Sequence, residues 1–140
     1  ARAGPGGGAA QRRDRRGRGK VLLVAGGVGI TPMRALFETL PGAAGDITLL
    51  YRANSTQDLA LWDELAKIAD ERGARLMYAV NSPDGERPDI SAESLRRKIA
   101  DIDRHDVFMC GPTGFAQSVY EALRGAGVPA RRIHHESFEM

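Results

Sequence analysis

Three short stretches of this 140-residue chain carry residues whose types and spacing suit them to hold a phosphorylated ligand. The first is Gly26-Gly27-Val28-Gly29-Ile30-Thr31-Pro32, directly after the apolar run Val21-Leu22-Leu23-Val24-Ala25. Glycines let the backbone turn tightly and approach a bound group, while Thr31 offers a hydroxyl as helix N-cap and Pro32 suits a first helical position. The spacing therefore predicts a buried strand, a turn and a helix whose unpaired N–H groups and positive dipole end face a phosphate or pyrophosphate. In the pattern Gly27-x-Gly29-x-x-Pro32, proline stands where the common dinucleotide fingerprint has its third glycine, so a turn that binds nothing is the competing reading. A Walker A loop is excluded, because Gly19-Lys20 precedes the strand and is followed by Val21 rather than Ser or Thr.

The second stretch is Arg52-Ala53-Asn54-Ser55-Thr56. A dinucleotide lying on the first turn brings its adenosine ribose beside the end of the second strand, where a carboxylate favours a free ribose diol. Arg52 offers paired N–H donors to a 2'-phosphate instead, and Ser55 or Thr56 adds a hydroxyl. The residues thus favour NADP(H), with NAD(H) possible, against the plainer alternative that Arg52 pairs with Asp58 at the surface. The third stretch is Cys110-Gly111-Pro112-Thr113-Gly114, where a small polarizable thiol ends a buried strand, either at a ligand or simply in the core. Glu136 and Phe138, two apart on a strand, share a face and bring an acid and a ring together; the alternative is a solvated Glu beside a core Phe. No metal site is expected, since His134 and His135 are adjacent and so point to opposite sides of a strand, and no Cys spacing suits an iron–sulfur cluster.

The elements that must position these residues follow from the alternation of patterns. Strands are expected at residues 21–25, 46–52, 74–80, 106–110 and 133–138, and helices from Pro32, over 59–72, from a Ser91 cap to about Ala100, and over 115–124. This predicts an α/β fold, a doubly wound five-stranded parallel sheet with helices on both faces. With strand order 3-2-1-4-5, the two glycine-rich turns become neighbours and flank one crevice at the topological switch point. The length suits one domain, and no apolar run approaches the roughly 20 residues of a membrane span. The formal charge of +2 conceals a contrast: residues 1–20 hold seven basic side chains against Asp14, and the remainder thirteen basic against seventeen acidic. Residues 1–19 therefore read as a flexible Gly/Arg-rich linker, and 20–140 as the folded domain. Without interleaved aromatic residues, the basic segment gives no reason to expect a nucleic-acid partner. One cysteine excludes an internal disulfide and fits a reducing, cytoplasmic setting.

Taken together, AGGVGITPMRAL, YRANSTQDLALWDEL, DVFMCGPTGF and the terminal HHESFE resemble the NAD(P)H-binding domain of the ferredoxin-NADP reductase superfamily, over residues 20–140. Among its branches the chain is most similar to bacterial ferric reductase-like and NADPH oxidase-like proteins, in which a haem-carrying membrane domain and a flavin barrel precede this domain. The resemblance implies that Gly26, Gly27, Gly29, Thr31 and Pro32 cradle pyrophosphate, and that Arg52 meets the adenosine ribose or its phosphate. It implies further that Cys110, Gly111 and Pro112 lie against nicotinamide, and that Glu136 and Phe138 stand at the flavin, whose face the aromatic ring covers until nicotinamide displaces it. Here Glu139 and Met140 follow that ring. The activity implied is hydride transfer from NAD(P)H to FAD on an upstream or partner domain, with residues 1–19 a linker or a remnant of that barrel. The chain alone is then expected to bind nucleotide without turning over. A nucleotide-binding regulatory domain that has lost its flavin partner, or an α/β domain that binds phosphate without a dinucleotide, are the alternatives.

Overall fold

The computed structural model describes residues 19–55 and 61–137, with side chains as far as His135. The segment 1–18, Thr56, Asp58 and Phe138 lie outside the described residues. Five strands form one parallel sheet: β1 (Val21–Gly26), β2 (Ile47–Ala53), β3 (Arg75–Val80), β4 (Asp106–Gly111) and β5 (Ile133–Ser137). Their order is β3-β2-β1-β4-β5, as the sequence predicts. β1 is central because every residue of Val21-Leu22-Leu23-Val24-Ala25 is apolar, and all five are at most 1 % exposed.

Helices cover both faces. Leu23, Ala25, Leu49 and Cys110 pack with α1 (Ile30–Thr39) and α2 (Trp62–Arg72), while Leu22, Val24, Leu50 and Met109 pack with α3 (Ala92–Lys98) and α4 (Thr113–Gly125). The apolar stripes have helical spacing: Ile30, Met33 and Phe37 on α1, and Ala116, Val119 and Leu123 on α4. Among the described residues, no helix is long and apolar enough to cross a membrane.

Helix starts are where the sequence reading needs correction. Thr31 is not the N-cap of α1, nor Pro32 its first residue; the helix begins at Ile30, with Gly29 as N-cap and no side-chain cap bond. Gly27–Gly29 form a 3-10 turn that runs straight into the helix, so the chain reaches helical angles two residues early. Pro32 becomes the third helical residue, still within the turn where a backbone N–H has no intrahelical partner. Likewise α4 starts at Thr113 rather than residue 115, after an extended Pro112. The Ser91 cap of α3 is found as expected, its hydroxyl oxygen accepting from the Ser94 N–H at 3.2 Å.

The C-terminal end of α1 is closed from outside. Arg72, in the last turn of α2, donates to the Phe37 carbonyl at 2.6 Å and to the Leu40 carbonyl. These are carbonyls that a helix end leaves unpaired, so one side chain both caps α1 and ties it to its neighbour.

Candidate functional site

In a parallel sheet of this kind every strand-to-helix junction lies at the same end, and here the register aligns the chemistry there. Gly26 pairs with Arg52, Ala25 with both Tyr51 and Cys110, and Cys110 with Glu136. A cavity of about 820 Å³ opens over these tips, bordered by Gly27 and Thr31, by Arg52, and by Pro112 and Phe115. That is the volume of a small-molecule site.

The turn after β1 is built to receive an anion. α1 starts without a side-chain cap and with no acidic residue in its first turn, leaving its N–H groups and positive dipole end unopposed. Gly27 has φ +55°, and a Cβ there would meet no atom within 4 Å, so the backbone is bare toward open space. Gly29 serves the opposite need: its Cβ would lie 2.1 Å from the Cys110 carbonyl oxygen. The first turn thus packs backbone on backbone against the tip of β4. α4 also starts there without a side-chain cap or an acidic first turn.

Arg52 sits at the β2 tip but does not point freely into solvent. Its guanidinium donates to the Ala53 carbonyl, to the Ala79 carbonyl at 3.4 Å and to Asn81 Oδ1 at 2.8 Å, bridging the ends of β2 and β3. Burial, and then the positive charge of Arg87, lower its pKa from the ordinary arginine value. Among the described residues neither guanidinium has a carboxylate within ion-pair distance. Arg87 is carried by the β3-to-α3 loop, which folds on itself: Ser82 N–H donates to the Glu86 carbonyl and Gly85 N–H to the Ser82 carbonyl, both at 2.8 Å. The Ser82 hydroxyl accepts from Glu86 N–H at 3.0 Å and donates to Asp84, whose carboxyl it helps hold below the usual range. Arg87 borders both the main crevice and an adjoining cavity of about 650 Å³ that includes Ser55, Asn81 and Ser82.

The structure brings Gly26, Gly27, Thr31, Arg52 and Pro112 to one crevice and Ser55 to its annex. It keeps others behind the walls. Cys110 is fully buried among Ala25, Ile30 and Met33, and Gly29 is buried against it. Pro32 and Gly111 shape the turns without bordering the cavity. Glu136 is fixed by its backbone pairing with Cys110. Sequence reasoning missed Arg87, Asn81 and Phe115. A signal for the first two existed, since the loop after the third parallel strand must open at the same end as the other junctions.

Residues 23–121 match the family model described as the oxidoreductase NAD-binding domain. The chain belongs to that family. It is the ferredoxin reductase-like NAD-binding domain expected from the sequence. It is 35 % identical over 121 residues to a flavohemoprotein of Vibrio cholerae, covering 84 % of this chain and 30 % of that protein. It is 34 % identical over 121 residues to the ferredoxin reductase component of a 3-ketosteroid-9-alpha-monooxygenase from Mycobacterium tuberculosis, covering 84 % of this chain and 33 % of that one. The NAD-binding domain therefore spans about a third of the length of these relatives. Among solved structures it resembles the FAD/NAD binding domain of nitric oxide dioxygenase from Vibrio cholerae, with TM-score 0.72, 33 % identity, and 88 % of this chain and 52 % of that one covered.

Proposed function

We propose that this NAD-binding domain presents NAD(P)H for hydride transfer to FAD held by a flavin-binding domain, upstream in the same chain or in trans. The observation that carries the reading is the convergence on one crevice of the uncapped α1 start, Arg52 at the end of β2, Arg87 in the loop after β3, and the turn after Cys110. Bound nicotinamide supplies the hydride. The chain's own part is positioning and charge: the bare backbone around Gly27 and the first N–H groups of α1 receive pyrophosphate, with Thr31 at the rim. Pro112 closes the β4 side with Cys110 buried behind it, and the roles that the resemblance implies for Glu136 and Phe138 are at the flavin. Residues 1–19 act as the linker or barrel remnant joining 20–140 to the flavin domain.

NADP(H) is the preferred coenzyme in this reading. Burial and then the nearby Arg87 charge disfavour the Arg52 cation, and a doubly charged 2'-phosphate relieves that cost. Arg52 meets it from a fixed position and Ser55 borders the annex beside it. Electrons leave the flavin for haem, ferric iron or another acceptor, and a haem-containing membrane domain fits a setting at the cytoplasmic face of a membrane.

Calorimetric titration of the chain with NADPH, NADH and 2'-AMP tests the coenzyme reading. A preference for the 2'-phosphate that Arg52→Asp removes is expected, and equal affinity of the unmutated chain for NADPH and NADH would refute it. NADPH-driven dye reduction after mixing with a flavin-loaded domain tests the activity; nucleotide binding without reduction by any such pairing would favour a regulatory role.

A further inference from the structure

Phe115 stands where the crevice crosses from β1 to β4. A Cβ on Gly26 would lie 2.7 Å from two atoms of its ring, and a Cβ on Gly111 would lie 2.8 Å from the same edge. One ring thus fills the space that two neighbouring strand tips leave by being glycine. Gly26 and Gly111 are themselves in contact, the Gly111 Cβ position being 3.2 Å from the Gly26 carbonyl oxygen. Half-buried in the first turn of α4, the ring packs partly on the core beneath that helix and partly borders the cavity.

The strand order sets the order of the ligand's parts along the crevice. Arg52 and Arg87 mark the adenosine end at β2 and β3, and the uncapped start of α1 marks the pyrophosphate beside β1. What lies over β4 is then the nicotinamide ribonucleotide half. We infer that Phe115 is a binding residue for this half, an apolar platform braced by the two glycine tips on which the nicotinamide ribose packs. The inference rests on the dinucleotide reading above. A side chain at either glycine lifts the ring into the path of the ligand, which gives Gly26 and Gly111 a role besides turning the chain.

The test titrates the unmutated chain, Phe115→Ala and Phe115→Met with NADPH, NADH and 5'-ADP, the last lacking the nicotinamide half. Phe115→Ala should weaken both dinucleotides roughly three- to tenfold and leave 5'-ADP unchanged. In proton NMR the nicotinamide ribose signals should move upfield on binding the unmutated chain, through the ring current of Phe115. Phe115→Met, which keeps bulk but has no ring, should abolish that movement. Equal losses for dinucleotide and 5'-ADP, unchanged dinucleotide affinity, or an upfield shift that persists in Phe115→Met would each overturn the inference. Failure of the unmutated chain to bind 5'-ADP would overturn the dinucleotide reading itself.

Discussion

Gly29 and Cys110 meet backbone to backbone: the Cβ that Gly29 lacks would stand 2.1 Å from the Cys110 carbonyl oxygen and 2.5 Å from its carbonyl carbon. Neither partner is a flexible side-chain end, so the contact cannot relax locally. Gly29→Ala should therefore separate the two turns and lower stability by about 1–3 kcal/mol, as overpacking of a filled site does. Gly27→Ala, with open space but φ +55°, should cost about 1–2 kcal/mol through the backbone alone and leave the turns in register. Urea denaturation measures both. Nucleotide affinity should fall in both, in Gly29→Ala because the two lips of the crevice move apart, and in Gly27→Ala because the added methyl stands on the bare backbone that lines the crevice.

The two arginines at the proposed adenosine end have unequal tasks. Arg52 is held by Ala79 and Asn81, whereas Arg87 is exposed and bordered by both cavities. Arg87→Ala should weaken NADPH several-fold while leaving NADH nearly unchanged, and should flatten the salt dependence of NADPH affinity. A calorimetric series from low to high ionic strength checks this, and equal weakening of both coenzymes would contradict it.

His105 is 4 % exposed at the opposite end of β4, one ring nitrogen 2.9 Å from the Asp101 carbonyl oxygen. Burial is the main cause of its lowered pKa; the Lys20 charge adds to it, and the contact with Asp101 opposes it. A histidine whose folded pKa is depressed binds its proton more readily when unfolded, so its contribution is complete above the unfolded value of about 6.5. That contribution is lost as pH falls from there through the folded pKa. The melting temperature should accordingly drop between pH 7 and pH 5, and His105→Asn should show a smaller drop over the same interval.

Arg72 offers a stability test remote from the crevice. Arg72→Met keeps much of the apolar stem but removes both donors from the Phe37 and Leu40 carbonyls. A loss of about 1–2 kcal/mol in chemical denaturation is expected, with nucleotide affinity unchanged. Arg34, whose contacts to Glu38 and Glu64 lie at the exposed surface, should contribute far less when replaced by Ala.

The sheet was legible because its signals are local. A wholly apolar β1 can only be central, and glycine-rich turns after β1 and β4 identify the two strands that flank the switch point. Helix starts were less legible: three residues of 3-10 turn look in sequence like a longer loop, and only hydrogen bonding distinguishes them. Arg52 was recognisable from its place at a strand end, but its bridge to β3 depends on Asn81, twenty-nine residues away. Phe115 ends one of the stretches that carry the resemblance, but nothing in the sequence marked it as a ligand contact. Its ring is placed by the absence of side chains at residues 26 and 111, and that is a property of packing across two strands.

The crevice draws on residues 26, 52, 87 and 115, each from a different strand-to-helix junction. A nucleotide held across them acts as a reversible crosslink between segments that the unfolded chain leaves far apart. By mass action it favours the folded form as a whole, by about 2.7 kcal/mol at a hundred times its dissociation constant. With coenzyme bound as proposed, its supply then also sets how long the domain survives proteolysis, because each bound molecule withdraws one from the pool that can open.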